Sequence, residues 1–199
     1  TGLAFAHKYR GDGGLNFCYF GDGAANQGQV YEAFNMASLW KLPVIYVIEN
    51  NRYGMGTSVE RASATTEFYR RGEVFGIPGV QVNGMDVLEV KRASAEVLEH
   101  VRAGEGPYVM ELKTYRYRGH SMSDPAKYRS KEEVTTVRKE SDPIDNLRAT
   151  ILEQGLADEA TFKEIDREIK GLVNEAAEFS QQSPEPDPSE LYTDILIEA

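Results

Sequence analysis

Cysteine and long apolar runs are scarce in this chain of 199 residues. The one cysteine, Cys18, excludes an internal disulfide framework, and its apolar neighbours indicate a small buried core residue in a protein of a reducing compartment. The longest apolar run, LPVIYVI at 42–48, is far too short to span a bilayer. These absences argue against a disulfide-stapled domain and against an integral membrane protein.

Positive charge is also in short supply, since the formal net charge is −10. Nucleic acids and anionic membrane surfaces bind basic proteins, so neither is expected as a partner. The acidity is concentrated in residues 155–199, which hold twelve acidic and three basic side chains. We interpret that segment as a solvated helical surface and expect the chemistry elsewhere.

Strand-like and helix-like segments alternate along the first two thirds of the chain. Apolar strands are predicted at 15–20, 44–49 and 107–115, with a short strand inside 76–86, and helices at 27–41 and 87–103. Nearly continuous apolar strands are typical of a parallel sheet covered on both faces. The predicted fold class is therefore α/β, a parallel sheet flanked by helices.

The chain changes character after residue 130. Helices are predicted over 131–153 and 158–180, followed by an extended proline-rich linker at 183–189. We therefore divide the chain into an α/β domain, residues 1–135, and an acidic helical extension, residues 136–199. The chain begins at Thr1 without Met, so we expect a missing N-terminal portion that would carry any targeting signal.

The stretch FGDGAANQG at 20–28 follows the first strand and matches neither common phosphate-binding motif. Asn26 stands where a dinucleotide fingerprint needs its third glycine, and Gln29 stands where a P-loop needs its lysine. Asp22 lies between two glycines at a strand-to-helix turn, where an anion is favoured. A carboxylate beside an anion requires a cation between them, so Asp22 suggests a Mg²⁺-bridged diphosphate.

Two further polar loops follow predicted strands, and ligands of parallel sheets bind beyond the carboxyl ends of the strands. In the loop at 50–58, Asn51 offers an amide oxygen and Tyr53 a backbone carbonyl as hard metal ligands. The loop at 116–130 is basic and contains His120, which can titrate near neutral pH. An ordinary turn and an ordinary loop remain the alternative interpretation for each motif taken alone.

These motifs resemble the α subunits of the pyruvate dehydrogenase E1 component, a family of thiamine diphosphate-dependent 2-oxo acid dehydrogenases. The resemblance is carried by GDGAANQGQVYEAFNMASLWKLPVIYVIENNRYGMGTS at 21–58 and TYRYRGHSMSDPAKYRSKEEV at 114–134. It implies the thiamine diphosphate-binding fold and two cofactors, thiamine diphosphate and Mg²⁺. It also implies oxidative decarboxylation of pyruvate and transfer of the acetyl group to the lipoyl group of E2.

The resemblance assigns roles to particular positions. The implied metal ligands are Asp22, Asn51 and the Tyr53 carbonyl, and Gly23 and Ala24 would line the diphosphate. His120 would contact the diphosphate end as the catalytic residue. The implied partners are an E1 β subunit in an α₂β₂ heterotetramer and the lipoyl domain of the E2 dihydrolipoamide acetyltransferase.

Two features leave alternatives open. Branched-chain 2-oxo acid and acetoin dehydrogenase α subunits share the same pattern, and a shortened chain could be a non-catalytic fragment that only pairs with a β subunit. A phosphate-binding module unrelated to thiamine is a third possibility.

The segment DPAKYR has Lys127 near the place of a second regulated serine in animal enzymes. The chain is thus bacterial-like, and we expect no kinase control at Ser121 and a cytoplasmic location, or the mitochondrial matrix in a eukaryote.

Overall fold

Alternating strands and helices build an α/β architecture in the computed structural model, which describes residues 1–194. The elements are α1 (Gly2–Arg10), β1 (Asn16–Gly21), α2 (Gly28–Leu39), β2 (Val44–Asn50), β3 (Tyr53–Gly54), β4 (Thr57–Ser58), α3 (Val59–Ala62), β5 (Gly79–Asn83), α4 (Val87–Arg102), β6 (Tyr108–Lys113), α5 (Lys131–Ser141), α6 (Pro143–Glu153) and α7 (Glu159–Gln182). Short 3₁₀ helices span Ala24–Asn26, Phe68–Phe75 and Pro188–Tyr192.

The main sheet has the strand order β1-β2-β6-β5, and all of its strands are parallel. In the central strand β2, every residue except Glu49 is buried. The carboxyl ends of β1, β2 and β6 therefore lie side by side at one edge of the sheet. This fold class agrees with the sequence prediction.

Helices cover the two faces of the sheet. On one face, β2 and β6 pack against α2 and the 3₁₀ helix Phe68–Phe75, with Phe34 and Phe68 fully buried. On the other face, α4 contributes Ala93, Val97 and Val101 to a second core cluster. Helix α4 begins as predicted, because the Asp86 carboxylate accepts the backbone N–H groups of Leu88 and Glu89 at 2.9 and 3.0 Å.

Strand β1 differs from the prediction of a buried strand at 15–20. Its side chains alternate in burial, and Phe17 and Tyr19 are 39% and 61% exposed. It is an edge strand of the sheet, and the described residues cover the face that carries Cys18 and Phe20 but leave the face of Phe17 and Tyr19 exposed. Cys18 is accordingly half-buried rather than buried, on the covered face.

Five segments differ in extent or were not predicted. The region 131–153 forms two helices, because Asp142 caps α6 and Pro143 begins it. Helix α1 and the 3₁₀ helix Phe68–Phe75 were not predicted, and the loop at 50–58 contains the hairpin β3–β4. The expected linker at 183–189 ends in the 3₁₀ helix Pro188–Tyr192.

The chain divides into two compact units, residues 1–148 and a second unit beginning at Ala149. The division at 135/136 stays a prediction, and residues 195–199 lie outside the described part of the chain. The second unit contains α7, whose N-terminus is capped by the Asp158 carboxylate. None of the helices within residues 1–194 is long and apolar enough to cross a membrane.

Replacing Asp86 by Ala is expected to destabilise the first unit by about 1 kcal/mol, because two N–H groups of α4 lose their acceptor. The free energy of unfolding in urea measures the loss. Asp86→Asn is the matched control, since it keeps an oxygen acceptor and should stay close to the unsubstituted chain. Equal losses in the two variants would contradict the capping role.

Candidate functional site

The buried carboxylate of Asp22 lies at the end of β1. The side chain is 4% exposed. Burial raises the pKa of Asp22, and hydrogen bonding from the backbone at Asp22 and Asn51 together with the positive charge of Arg116 opposes that rise. A carboxylate held out of water without full compensation is suited to receive a cation.

Two glycines bring the first two loops together. A Cβ atom on Gly54 would lie 3.3 Å from the Cα of Gly23 and 3.8 Å from Oδ2 of Asp22. A side chain at either glycine would crowd the other loop, so their small size permits the close approach. Ala24 follows directly and begins the 3₁₀ helix Ala24–Asn26.

The second loop turns sharply after β2. Its Asn51 side chain accepts the N–H of Tyr53 through Oδ1 at 3.4 Å. Arg52 has a φ of 72°, a left-handed conformation that is uncommon for a residue with a side chain. The turn leads into the hairpin β3–β4, whose Gly54 lies against Gly23 and Asp22, while the Asn51 N–H donates to the carbonyl oxygen of Glu49 at 3.0 Å. The structure therefore brings Asp22, Asn51 and Tyr53 to one place.

Arg116 joins the third loop to the second. Its guanidinium donates to the carbonyl oxygens of Tyr53 and Met55 at 2.8 and 2.5 Å, and to the hydroxyl of Tyr128 at 2.9 Å. Gly56 allows the Tyr128 ring to lie against the second loop, since a Cβ atom on Gly56 would lie 3.1 Å from that ring. The loop at 116–130 is thus anchored to the carbonyl of a predicted metal ligand.

A cluster of tyrosines surrounds a second arginine of this loop. The Arg129 guanidinium lies 5.1 Å from the centroid of the Tyr115 ring and 5.6 Å from those of Tyr53 and Tyr128. The Tyr115 hydroxyl donates to Glu133 at 2.7 Å, and burial, with this carboxylate, raises the pKa of Tyr115 to about 12. This cluster was not predicted from the sequence, although the alternation of tyrosine and arginine in YRYR at 115–118 was a usable signal.

His120 lies in the same loop, and its side chain is exposed. Its backbone N–H donates to the Asp124 carboxylate at 2.7 Å, and the same carboxylate accepts the Tyr128 hydroxyl at 2.9 Å. These bonds fix the bend of the loop around His120. They do not bring its imidazole against Asp22 or Asn51.

The site suits a metal-bound diphosphate better than a metal bound by the protein alone. The described residues contain no cluster of three or more carboxylate, imidazole or thiol side chains that could hold a metal. Asp22 supplies one carboxylate, Asn51 an amide oxygen and Tyr53 a carbonyl oxygen. Mg²⁺ completes such partial oxygen sets with phosphate oxygens and water. The residues present therefore fit Mg²⁺ with a diphosphate.

Comparison with known proteins identifies the family to which the chain is similar. Residues 1–189 match the family model described as "Dehydrogenase E1 component". The chain is 63% identical over 197 residues, or 99% of its length, to a pyruvate dehydrogenase E1 component subunit alpha from Rhizobium meliloti, of which it covers 57%. Proteins of the same name from Zymomonas mobilis and Rickettsia bellii are each 58% identical over 99% of this chain, which covers 55% and 60% of their lengths.

The chain thus spans somewhat more than half the length of the curated relatives it matches. Both motifs lie within the aligned region, since the alignments cover almost all of this chain. The pyruvate dehydrogenase activity named for the relatives belongs to those longer proteins.

Asp22→Asn is expected to stabilise the metal-free chain at about pH 7, because burial disfavours the charged form of the Asp22 side chain and an amide carries no charge. The raised pKa of Asp22 means that the native state takes up a proton more readily than the unfolded state. The penalty is therefore full above the raised pKa, decreases as the pH falls through that pKa, and is gone below the ordinary value of 3.8. Thermal unfolding of both chains against pH measures this, and a constant difference across that range would contradict it.

Arg116→Lys is expected to accelerate tryptic cleavage of the loop at 116–130 by about tenfold, because a lysine cannot span three acceptors as the guanidinium does. Arg118→Lys is the matched control, since the Arg118 side chain is exposed and the number of tryptic sites stays the same. Equal cleavage rates in the two variants would show that Arg116 does not anchor the loop.

Proposed function

Because the chain belongs to the dehydrogenase E1 component family, we propose that it is the part of a pyruvate dehydrogenase E1 α subunit that binds Mg²⁺ and the diphosphate of thiamine diphosphate. One observation carries the proposal. The buried Asp22 carboxylate faces the turn of Asn51 and Tyr53 at the ends of two adjacent parallel strands. No lysine is needed there, since the metal supplies the positive charge.

The proposed metal ligands are the Asp22 carboxylate, the Asn51 amide oxygen and the Tyr53 carbonyl oxygen. Gly23 and Ala24 are proposed to line the diphosphate, with Gly23 permitting the close approach of the backbone. Asn51 must then release the weak contact that its Oδ1 makes with the Tyr53 N–H. This contact is long, so a metal can replace it at small cost.

The third loop is proposed to cover the diphosphate end of the cofactor. Arg116 anchors it to the carbonyl oxygen of Tyr53, Arg129 holds its backbone at Arg118, and His120 is the proposed catalytic residue that contacts the diphosphate. Bound thiamine diphosphate would supply the electron sink for decarboxylation of a 2-oxo acid. The chain's own contribution is to position the diphosphate and to exclude water around it.

The whole enzyme requires partners beyond this chain. We propose an E1 β subunit in an α₂β₂ heterotetramer and the lipoyl domain of an E2 dihydrolipoamide acetyltransferase as acceptor of the acetyl group. Pyruvate is the proposed substrate, because the relatives in three bacteria are named as pyruvate dehydrogenase subunits. Their bacterial sources also support a cytoplasmic location.

Asn51→Ala is expected to abolish Mg²⁺-dependent binding of thiamine diphosphate, because the metal loses the amide oxygen as one of its three proposed protein ligands. Isothermal calorimetry measures the affinity in the assembly formed with a β subunit. Asn83→Ala is the matched control, since Asn83 also ends a strand and its Oδ1 accepts the N–H two residues ahead. Undiminished binding by Asn51→Ala would refute the proposed ligand set.

The same assembly distinguishes the proposed substrate from its alternatives. Pyruvate-selective decarboxylation would support the proposal, and preference for a branched-chain 2-oxo acid or acetoin would assign a sister enzyme. A well-formed assembly that binds neither cofactor nor substrate would support a non-catalytic pairing role instead.

A further inference from the structure

Glu111 is a buried carboxylate that the proposed chemistry does not use. It lies in the middle of β6, is 0% exposed, and is in register with Ile48 of β2 and Gln81 of β5. Burying a carboxylate is costly unless its oxygens are fully hydrogen-bonded. The hydrogen-bond partners of Glu111 therefore indicate its role.

Both oxygens of Glu111 accept hydrogen bonds, and all three donors are N–H groups. Oε1 accepts from Nδ2 of Asn50 at 2.7 Å. Oε2 accepts from the backbone N–H of Tyr69 and from Nε2 of Gln81, each at 3.1 Å. A carboxylate can serve all of these donors at once, whereas an amide would turn its own N–H₂ towards one of them.

Asn50 carries the effect of Glu111 into the site. Because Nδ2 of Asn50 faces Glu111, Oδ1 points away and accepts the N–H of Arg52 at 3.2 Å. Arg52 is the residue with the left-handed φ of 72°. The amide of Asn50 therefore holds the strained point of the turn that carries Asn51 and Tyr53.

A second connection reaches the Asp22 loop. Glu111 attracts the guanidinium of Arg71, which donates to the carbonyl oxygen of Ala25 at 2.7 Å and lies 4.0 Å from the centroid of the Phe68 ring. Ala25 is fully buried in the 3₁₀ helix behind Asp22. One carboxylate thus acts on both loops that supply the proposed metal ligands.

We propose that Glu111 is a positioning residue that fixes the turn at 50–53 in the geometry needed for metal binding, acting through the orientation of the Asn50 amide. This inference rests on the proposed function only for the identity of the bound group. The orientation of the turn by Glu111 is a property of the metal-free chain as well.

The geometry provides a compensating pair of substitutions. In Glu111→Gln, either the new N–H₂ faces the Tyr69 N–H, or it faces Asn50 and forces the Asn50 N–H₂ towards the N–H of Arg52. In Asn50→Asp, two carboxylates face one another. In the double variant, the new carboxylate at position 50 accepts from both the new amide at position 111 and the N–H of Arg52, so every donor again has an acceptor.

The experiment compares the unsubstituted chain with Glu111→Gln, Asn50→Asp and the double variant, each assembled with a β subunit, by two readouts. Mn²⁺ titrated in the presence of thiamine diphosphate reports metal affinity, since Mn²⁺ takes the same oxygen ligands. Hydrogen exchange of residues 50–53 in the metal-free chain reports the turn itself. Each single variant is expected to bind Mn²⁺ about tenfold or more weakly and to exchange faster, because partners behind a metal ligand change affinity by that much. The double variant is expected to recover both readouts.

Gln81→Met is the matched control, because it removes a different bond to the same carboxylate and leaves Asn50 in place. It should keep the Mn²⁺ affinity and the exchange rates of residues 50–53. A merely structural role of Glu111 predicts instead that Gln81→Met and Glu111→Gln alter both readouts alike, and that result would overturn the proposal.

The outcomes separate this inference from the proposed function. Unchanged exchange and affinity in Glu111→Gln would overturn the positioning role, and so would a folded double variant that recovers neither readout. If Glu111→Gln does not fold, recovery in the double variant still decides in favour of the role. Failure of the unsubstituted assembly with a β subunit to bind Mn²⁺ with thiamine diphosphate counts against the proposed function, while hydrogen exchange still decides the role of Glu111.

Discussion

Parallel pairing of β2 with β1 on one side and β6 on the other is the constraint on which the rest of the site depends. Parallel neighbours end at the same edge of a sheet, so three loops that are far apart in sequence become neighbours. Each loop then needs only one or two special residues. The first supplies a buried carboxylate, the second an amide and a carbonyl oxygen, and the third two arginines that hold it in place.

The site contains two buried carboxylates, Asp22 and Glu111, whose surroundings differ. Asp22 is buried with incomplete compensation and is therefore ready for a cation. Glu111 lies deeper and has all of its hydrogen bonds satisfied, so it acts as a fixed point of the scaffold. The first carboxylate destabilises the folded chain and is useful for binding, whereas the second stabilises the loops that make such binding possible.

The sequence alone was sufficient for the elements whose signals are local. The apolar run of β2, the cap at Asp86 and the Gly-Asp-Gly turn each follow from a few adjacent residues. The bond between Glu111 and Asn50 could not be predicted, because it joins residues 61 positions apart and depends on strand register. The arginine–tyrosine cluster likewise depends on how the third loop folds back on the hairpin.

The outer strand β1 has a consequence of another kind. Phe17 and Tyr19 project from its uncovered face, and among the described residues no strand pairs with its outer edge. Such an edge is a template on which another polypeptide can add a strand through backbone hydrogen bonds. Strand addition at this edge is therefore the route by which the isolated chain would self-associate, and its net charge of −10 opposes that association.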